Sequence, residues 1–210
     1  MALCRSALCA AVVLCATGAG AAPKAISLDG LLAQFHAIPG LEAHFREEKH
    51  LTLLDAPLLS EGTIYFAPPG RLSRQTTAPT ASTLLIDGDR LAFFDGQQTE
   101  TIPLDGNPVV RMFVDSFLKL LVGDRAALER IFTVDLHPRA AGWELRLKPK
   151  LAPMTQLIDS IVMQGSGVIL SKMTILEKTG DETVTAFDKV DPARHFSAAE
   201  LARLFSLPAR

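Results

Sequence analysis

Residues 82–106 read STLLIDGDRLAFFDGQQTETIPLDG, and this stretch decides the fold. It holds three short strand-forming runs, Thr83–Asp87, Arg90–Asp95 and Thr99–Leu104. An aspartate-glycine pair follows or closes each run, and Asp87-Gly88 suits a two-residue hairpin turn, because both residues tolerate positive φ. Successive strands joined by turns this tight pair antiparallel. The stretch therefore predicts an antiparallel meander.

The same period of two continues on both sides of this stretch. Upstream, Leu41–Leu51 alternates apolar and polar residues, and Thr63–Ala67 does so again. Alternation gives a strand one apolar and one polar face. Five further runs follow downstream: Phe132–Leu136, Trp143–Leu147, Leu157–Gln164, Val168–Glu177 and Glu182–Val190. The sequence thus predicts a mostly β chain with helices, in which about ten or eleven strands form a single curved antiparallel sheet.

Helical spacing interrupts the strands. Ser27–Ile38 predicts a leading amphipathic helix that begins at a capping residue, Ser27 or Asp29, and ends before Pro39-Gly40. Asp124–Phe132 predicts a short helix, and Ser197–Phe205 predicts a terminal helix that opens with a capping box.

The segment Asn107–Val122 differs from an ordinary surface helix. Arg111, Asp115 and Lys119 form one narrow charged stripe, and nearly every other side chain is apolar. Surface helices normally have a much wider polar face. A sheet this large cannot fill its own hollow with side chains unless it closes tightly. We therefore expect this helix to cover the hollow as a lid.

The N-terminus has the pattern of an export signal. Arg5 precedes the apolar run Ala7–Ala16, which is short for a membrane span, and Ala19-Gly20-Ala21 fits a cleavage site. We expect a cleaved signal peptide over residues 1–21 and one domain over residues 22–210; an uncleaved anchor is the alternative. All 3 cysteines precede that domain, so it forms no disulfide. The formal charge of −2 argues against nucleic-acid binding.

No motif for catalysis, a metal or a cofactor stands out. There is no Gly-x-Ser-x-Gly elbow, and Gly165-Ser166-Gly167 lacks the third glycine of a dinucleotide loop. His44, Glu48 and His50 share one face of the first strand, but Arg46 lies between them and opposes a cation. A solvated face explains these residues. We expect no catalytic residue, no metal and no cofactor, although a scattered serine triad stays open.

Apolar side chains are the candidates for a ligand site. They come from strands and from the predicted lid helix, and each also fits an ordinary core. Burial of an acyl chain gains about 0.8 kcal/mol per methylene, so an apolar cavity binds lipid without polar contacts. The candidate lipid-binding residues are Phe45, Ile64, Phe66, Phe93, Met112, Phe113, Phe117, Leu121 and Trp143.

Several local strings of the chain carry a family resemblance. They are Leu41–Phe45 (LEAHF), Glu61–Pro69 (EGTIYFAPP) with Leu72, and Ser82–Asp95 (STLLIDGDRLAFFD) with its central aspartate-glycine turn. These strings resemble the periplasmic outer-membrane lipoprotein carrier family, LolA, and especially its LolA-related branch. The order of signal peptide, helix, strands, helical insertion and strands resembles that of the family as well.

The resemblance implies an unclosed β-barrel with a helical lid, whose apolar interior holds acyl chains in the periplasm. Such a carrier takes a lipidated cargo from an inner-membrane exporter and passes it to an outer-membrane acceptor. The best-known carriers have an arginine before the proline that ends their second strand, and it helps to hold the lid. Here Pro68 precedes Pro69, and Arg71 and Arg74 are the nearby basic residues. Related branches are implied to handle other lipids or polyketide-like pigments.

Our leading hypothesis is a soluble, monomeric periplasmic carrier of a lipoprotein or another lipid, which is not an enzyme. An alternative is a periplasmic lipid- or peptide-sensing module of the same fold that regulates a membrane signalling partner. A third hypothesis is a hydrolase of periplasmic lipid, which needs a nucleophile and a base in the hollow.

Overall fold

A computed structural model describes residues 26–106, 111, 114 and 118–206. Eleven strands form one antiparallel sheet in the order β6-β5-β4-β3-β2-β1-β11-β10-β9-β8-β7. The two end strands, β6 and β7, are not paired with each other, so the sheet is not closed into a barrel. The strands are β1 (Leu41–His50), β2 (Leu58–Ala67), β3 (Arg71–Ala78), β4 (Ser82–Asp87), β5 (Arg90–Phe94), β6 (Thr99–Pro103), β7 (Phe132–Arg139), β8 (Gly142–Pro149), β9 (Ile158–Ser166), β10 (Ile169–Glu177) and β11 (Glu182–Asp191). The predicted fold class, an unclosed antiparallel sheet with helices, is confirmed.

Helices occur where the sequence predicts them, with one short addition. The described helices are α1 (Leu28–His36), α2 (residues 118–121), α3 (Arg125–Ile131), α4 (Met154–Leu157) and α5 (Ala198–Leu204), with a 3-10 turn at Leu104–Gly106. The predicted caps are present: Ser27 accepts a bond from Gly30, and Ser197 forms a capping box with Glu200. Residues 111 and 114 are also helical. The rest of the predicted lid helix and the predicted signal peptide lie outside the described residues.

Strand β3 was not among the predicted strands, and its sequence explains why. It reads RLSRQTTA, in which only Leu72 and the terminal alanine are apolar, so no alternation is visible. Its outward-facing Ser73 is nevertheless completely buried. The Gln75 side chain lies within 3.5 Å of the Leu204 carbonyl, so α5 covers this part of the outer face. Burial on both faces therefore stabilises a strand that has a polar sequence.

The buried apolar residues form two clusters, one in each half of the sheet. The first cluster joins α1, α2, α3, α4, β7, β8 and β9, and Trp143 and Phe132 are among its most buried members. The second cluster joins strands β1 to β5 with Leu104 and Leu121. Within the described residues, no helix is both long and apolar enough to cross a membrane. The interior is thus two packed regions that meet beneath α2.

Candidate functional site

An apolar cavity lies where the two clusters meet. Its lining combines residues of the inner sheet face with residues of α1 and α2. The lining residues are Phe35, Leu41, Ala43, Ile64, Phe66, Leu72, Leu120, Leu121, Met163, Val168, Leu170, Phe187 and Val190. All thirteen of these described residues are apolar, and none has a side chain that donates a proton as an acid or acts as an ordinary nucleophile. The described wall can exclude water and bind apolar groups.

The cavity is nearly filled in this conformation. Its free volume is about 30 Å³, whereas a cavity of about 150 Å³ is known to admit benzene. An acyl chain therefore enters only if the lining residues separate. The lining residues Leu120 and Leu121 belong to α2, and Phe35 belongs to α1, so these two helices are the parts whose displacement would enlarge the cavity.

Polar contacts join helices α1, α2 and α3 to one another. The ring Nδ1 of His36, at the end of α1, donates to the Val122 carbonyl at 2.8 Å. Arg125 of α3 reaches both carboxylate oxygens of Asp29 in α1 at 2.7 Å. Gly123 has a φ of +71°, and a side chain there would lie 2.5 Å from the Leu32 carbonyl. Polar contacts at their ends therefore join helices α1, α2 and α3, in addition to their packing in the first cluster.

The inner face becomes polar at one end of the sheet. Arg74 of β3 contacts the Glu47 carboxylate of β1 at 2.9 Å, and the Thr185 hydroxyl donates to the same carboxylate at 3.0 Å. The Arg74 guanidinium also covers the Phe45 ring at 4.2 Å. The predicted wholly apolar inner face is therefore incomplete: a charged pair lies beyond the apolar cavity on the same face.

The structure places the nine predicted lipid-binding residues in several environments. Ile64, Phe66 and Leu121 line the cavity. Phe45 is buried in the second cluster beneath Arg74, and Trp143 is buried in the first cluster, edge-on to the cavity-lining Phe35. Phe93 is 36% exposed. Met112, Phe113 and Phe117 lie outside the described residues.

The two basic residues near Pro68 and Pro69, Arg71 and Arg74, both pair with carboxylates within the sheet. Arg71 lies 3.9 Å from Asp87 of β4, and Arg74 pairs with Glu47. Each of these contacts joins two strands of the sheet. Neither contact reaches α1, α2 or α3. Pro68 and Pro69 lie in the turn between β2 and β3 and are exposed. The contacts that join these helices instead involve His36 and Arg125, which the sequence pattern did not indicate.

Most of the cavity lining was not named from the sequence. Leu41 and Ala43 alternate on β1 with charged residues, so their inward orientation was visible in the pattern. Met163 and Phe187 lie on β9 and β11, and only the strand register brings them opposite α1. Sequence alternation selects a face of a strand, but the register decides which inward residues share one cavity.

The histidines of β1 lie beside carboxylates on the outer face. His44 Nδ1 lies 3.7 Å from Asp188, and His50 Nε2 lies 3.5 Å from Glu48. Arg46 lies 3.5 Å from the other Asp188 oxygen. Among the described residues, no group of three or more potential ligands is arranged to hold a metal ion.

Comparison with known families identifies one match over most of the chain. The profile of a family described as "Outer membrane lipoprotein carrier protein LolA-like" matches residues 20–204. No curated protein matches the sequence. The matched range contains the whole sheet, both core clusters and every cavity-lining residue.

Several solved structures are similar to this chain at low sequence identity. MucB in the MucA/MucB complex of Pseudomonas aeruginosa has 12% identity and a TM-score of 0.51, with 83% of this chain and 58% of that chain covered. The LolA superfamily protein NE2245 of Nitrosomonas europaea has 11% identity and a TM-score of 0.48, with 87% and 99% covered. Lipoprotein LppX of Mycobacterium tuberculosis has 11% identity and a TM-score of 0.40, with 76% and 94% covered. This chain therefore spans little more than half of the MucB chain.

Proposed function

The chain belongs to the outer membrane lipoprotein carrier protein LolA-like family, and from this premise we propose that it is a carrier of acyl chains. The cargo is a lipoprotein or another lipid whose chains enter the apolar cavity. The carrier takes the cargo from an inner-membrane exporter, shields it across the periplasm and passes it to an outer-membrane acceptor. The first 21 residues serve as the export signal, and the carrier acts as a monomer.

The observation that carries this proposal is the composition and position of the cavity. All thirteen of its described lining residues are apolar, and they come from both halves of the sheet and from α1 and α2. A cavity of this kind offers an acyl chain the same environment as the protein core, and transfer from water is favourable by about 0.8 kcal/mol per methylene. The lining residues that the structure describes include no polar side chain, which fits a carrier better than a hydrolase.

Loading and release follow from competition for one apolar surface. In this structure, Leu120 belongs to the first core cluster and Leu121 to the second, and both line the cavity where the clusters meet. A bound chain replaces their contacts, so loading requires α2 to move away from the sheet. A ligand shifts this equilibrium only by its difference in affinity for the open and closed forms. Release therefore requires an acceptor whose apolar site binds the chain more tightly than the opened cavity.

A fluorescent acyl probe tests the proposal. We expect the protein to bind a dansylated fatty acid and to yield lipid on solvent extraction after purification. Leu121→Gln places an amide in the cavity and should weaken probe binding about tenfold. Leu176→Gln makes the same change at a partly exposed position of β10 and should leave probe binding unchanged.

A second variant separates cavity blockage from loss of folding. Ala43 is buried in the cavity wall, so Ala43→Leu adds volume where the chain would lie and should reduce probe binding while the circular dichroism spectrum stays the same. A wild-type protein that excludes the probe and contains no extractable lipid contradicts the carrier proposal. Equal weakening by Leu121→Gln and Leu176→Gln contradicts this cavity as its site.

The shared fold with MucB, whose structure is described in complex with MucA, supports a second candidate. In that case the same sheet recognises a lipid or peptide and regulates a membrane signalling partner. The two candidates differ in a transfer assay. A carrier moves a labelled acyl chain between donor and acceptor vesicles, whereas a sensing module retains its ligand and forms a stable complex with its partner.

A further inference from the structure

Four leucines project from the hairpin that joins β1 to β2. Leu53 is 93% exposed, Leu59 60%, Leu58 52% and Leu54 49%. None of them belongs to either core cluster or to the cavity lining. Scattered exposed leucines are common, but four large apolar side chains on one hairpin, with Leu58 and Leu59 on opposite faces of β2, indicate an interaction surface. These four residues are called the leucine tip.

The leucine tip extends beyond the neighbouring strand. On the β3 side, the last residue pair joins Glu61 to Ala78. Leu58, Leu59 and Ser60 therefore pair with β1 and have no paired residue in β3, although the Ser60 hydroxyl lies 3.5 Å from the Arg74 guanidinium. The hairpin therefore extends past the end of β3 at the rim of the sheet, and this extension, called the step, carries the exposed leucines.

The leucine tip is held in one conformation by its neighbours. The Leu54 amide donates to the Leu51 carbonyl at 2.9 Å, which closes a turn. The Thr52 amide donates to the Asp181 carboxylate at 2.7 Å, so the hairpin is fixed to the turn between β10 and β11. That bond also lowers the pKa of Asp181 below its ordinary value. A fixed loop loses little conformational entropy when its side chains are buried by a partner.

A groove of about 280 Å³ lies beside the step and contains charges of both signs. Its charged lining residues are Arg46, Glu47, Glu48 and Glu61, and Leu59 forms part of its apolar wall. Arg46 is an exposed side chain that lies 3.9 Å from Glu61 and 3.5 Å from Asp188. Carboxylates can bind an ammonium group and a guanidinium can bind a phosphate. This combination next to exposed leucines fits a zwitterionic phospholipid, with its headgroup in the groove and its hydrocarbon at the leucines.

The charge of the hairpin selects among membrane surfaces. Residues 48–61 contain three carboxylates, Glu48, Asp55 and Glu61, and one lysine, Lys49. An anionic surface attracts basic segments and repels an acidic one. A neutral surface that carries ammonium groups is therefore the better partner.

We propose that the leucine tip docks this protein on a zwitterionic phospholipid bilayer, with the leucines buried in its interfacial layer. Binding by apolar side chains at the interface depends on buried area and needs no membrane-spanning segment. The hairpin would bring the rim of the sheet to the membrane surface. Because it uses residues outside the cavity, this docking is independent of the cavity's occupancy.

A label at the tip tests the proposal in the full chain. Cys4, Cys9 and Cys15 are changed to serine, and Leu53→Cys is labelled with an environment-sensitive fluorophore. The control label is at Ala140→Cys, in the exposed turn between β7 and β8 at the opposite end of the sheet. With phosphatidylcholine vesicles, we expect a blue shift and an intensity increase at position 53 and no change at position 140.

Vesicle-binding affinities of leucine variants, measured with different lipids and salt concentrations, test the proposal further. Leu58→Ser with Leu59→Ser, added to the labelled chain, should weaken vesicle binding about tenfold or more at an unchanged melting temperature. Adding phosphatidylglycerol should weaken binding, and 0.5 M salt should not abolish it. The proposal is overturned if position 53 does not respond, if both labels respond equally, or if binding requires phosphatidylglycerol and low salt.

These outcomes are separable from those of the carrier proposal. A carrier that docks only on proteins would still bind the dansylated fatty acid while the label at position 53 stayed unchanged. Conversely, a protein with a blocked cavity would still respond at position 53. Ala43→Leu is the matched variant, because it fills the cavity wall and leaves the leucine tip intact.

Discussion

The Arg74 guanidinium lies 4.2 Å from the centroid of the Phe45 ring, on the inner face of the sheet. The same guanidinium contacts Glu47 at 2.9 Å. One arginine thus covers an aromatic side chain and neutralises a carboxylate where the inner face changes from apolar to polar. This arrangement accounts for the position of Phe45 outside the cavity lining, although the sequence indicates an inward-facing residue there.

Removal of Arg74 should destabilise the protein. Arg74→Ala leaves the mostly buried Glu47 carboxylate without its cation, and we expect unfolding to become easier by about 1–3 kcal/mol. Arg71→Ala is the matched control, because Arg71 lies 3.9 Å from an exposed Asp87 and such pairs contribute little. Chemical denaturation of both variants checks this. Equal stabilities would show that the pair with Glu47 contributes no more than a surface contact.

Trp143 should be a major packing residue of the first cluster. It is 1% exposed, packs edge-on to Phe35 at 6.0 Å and donates from its indole N–H to the Gly167 carbonyl at 2.9 Å. Trp143→Ala should cost about 3–5 kcal/mol, and Trp143→Phe less, because most of the volume is kept. Phe93→Ala, at a partly exposed aromatic, should cost less than about 1 kcal/mol. A melting temperature that falls more in Phe93→Ala than in Trp143→Ala would contradict this packing.

Loss of the contact between α3 and α1 should speed up entry of an acyl chain into the cavity. The reason is that α2, which lines the cavity, is then less restrained by its neighbouring helices. Arg125 donates to Asp29 at the exposed ends of these helices, and Arg125→Ala removes that link without touching the cavity. We expect the uptake rate of the fluorescent acyl probe to rise about two- to fivefold. Stopped-flow mixing measures this rate. Arg130→Ala, on the same helix, is the control, and an equal acceleration by both variants would refute a specific role for the α1–α3 link.

The capping carboxylate of α5 should titrate at unusually low pH. The Ser197 amide and hydroxyl donate to Glu200, and Arg194 pairs with it; together they lower its pKa to about 2 from the ordinary 4.5. Because the folded pKa is below the unfolded one, this stabilisation is present above pH 4.5 and is lost as the pH falls towards 2. An NMR titration of the Glu200 carboxyl carbon measures it. Ser197→Ala should raise the pKa, and a wild-type value near 4.5 would contradict the capping geometry.

The strands with clear alternation were predictable because the order of apolar and polar residues within each strand shows which side chains are buried. The meander from Thr83 to Leu104 and the strand beginning at Leu41 were both identified by period two. The capped helices were identified by local hydrogen-bonding residues such as Ser27 and Ser197. Strand β3 was missed because α5 buries its polar outer face, and that contact joins residues far apart in the chain.

The sequence by itself determined the class of fold, the family and the inward orientation of the alternating apolar residues, since alternation and turn residues act over a few positions. The tertiary structure decided which apolar residues share a cavity, because strand register and helix placement bring Phe35, Leu121 and Phe187 together from distant parts of the chain. It also decided that Phe45 lies beneath Arg74 and that the leucine tip stands beyond β3. Local patterns specify which way a side chain faces, whereas long-range packing specifies what it meets there.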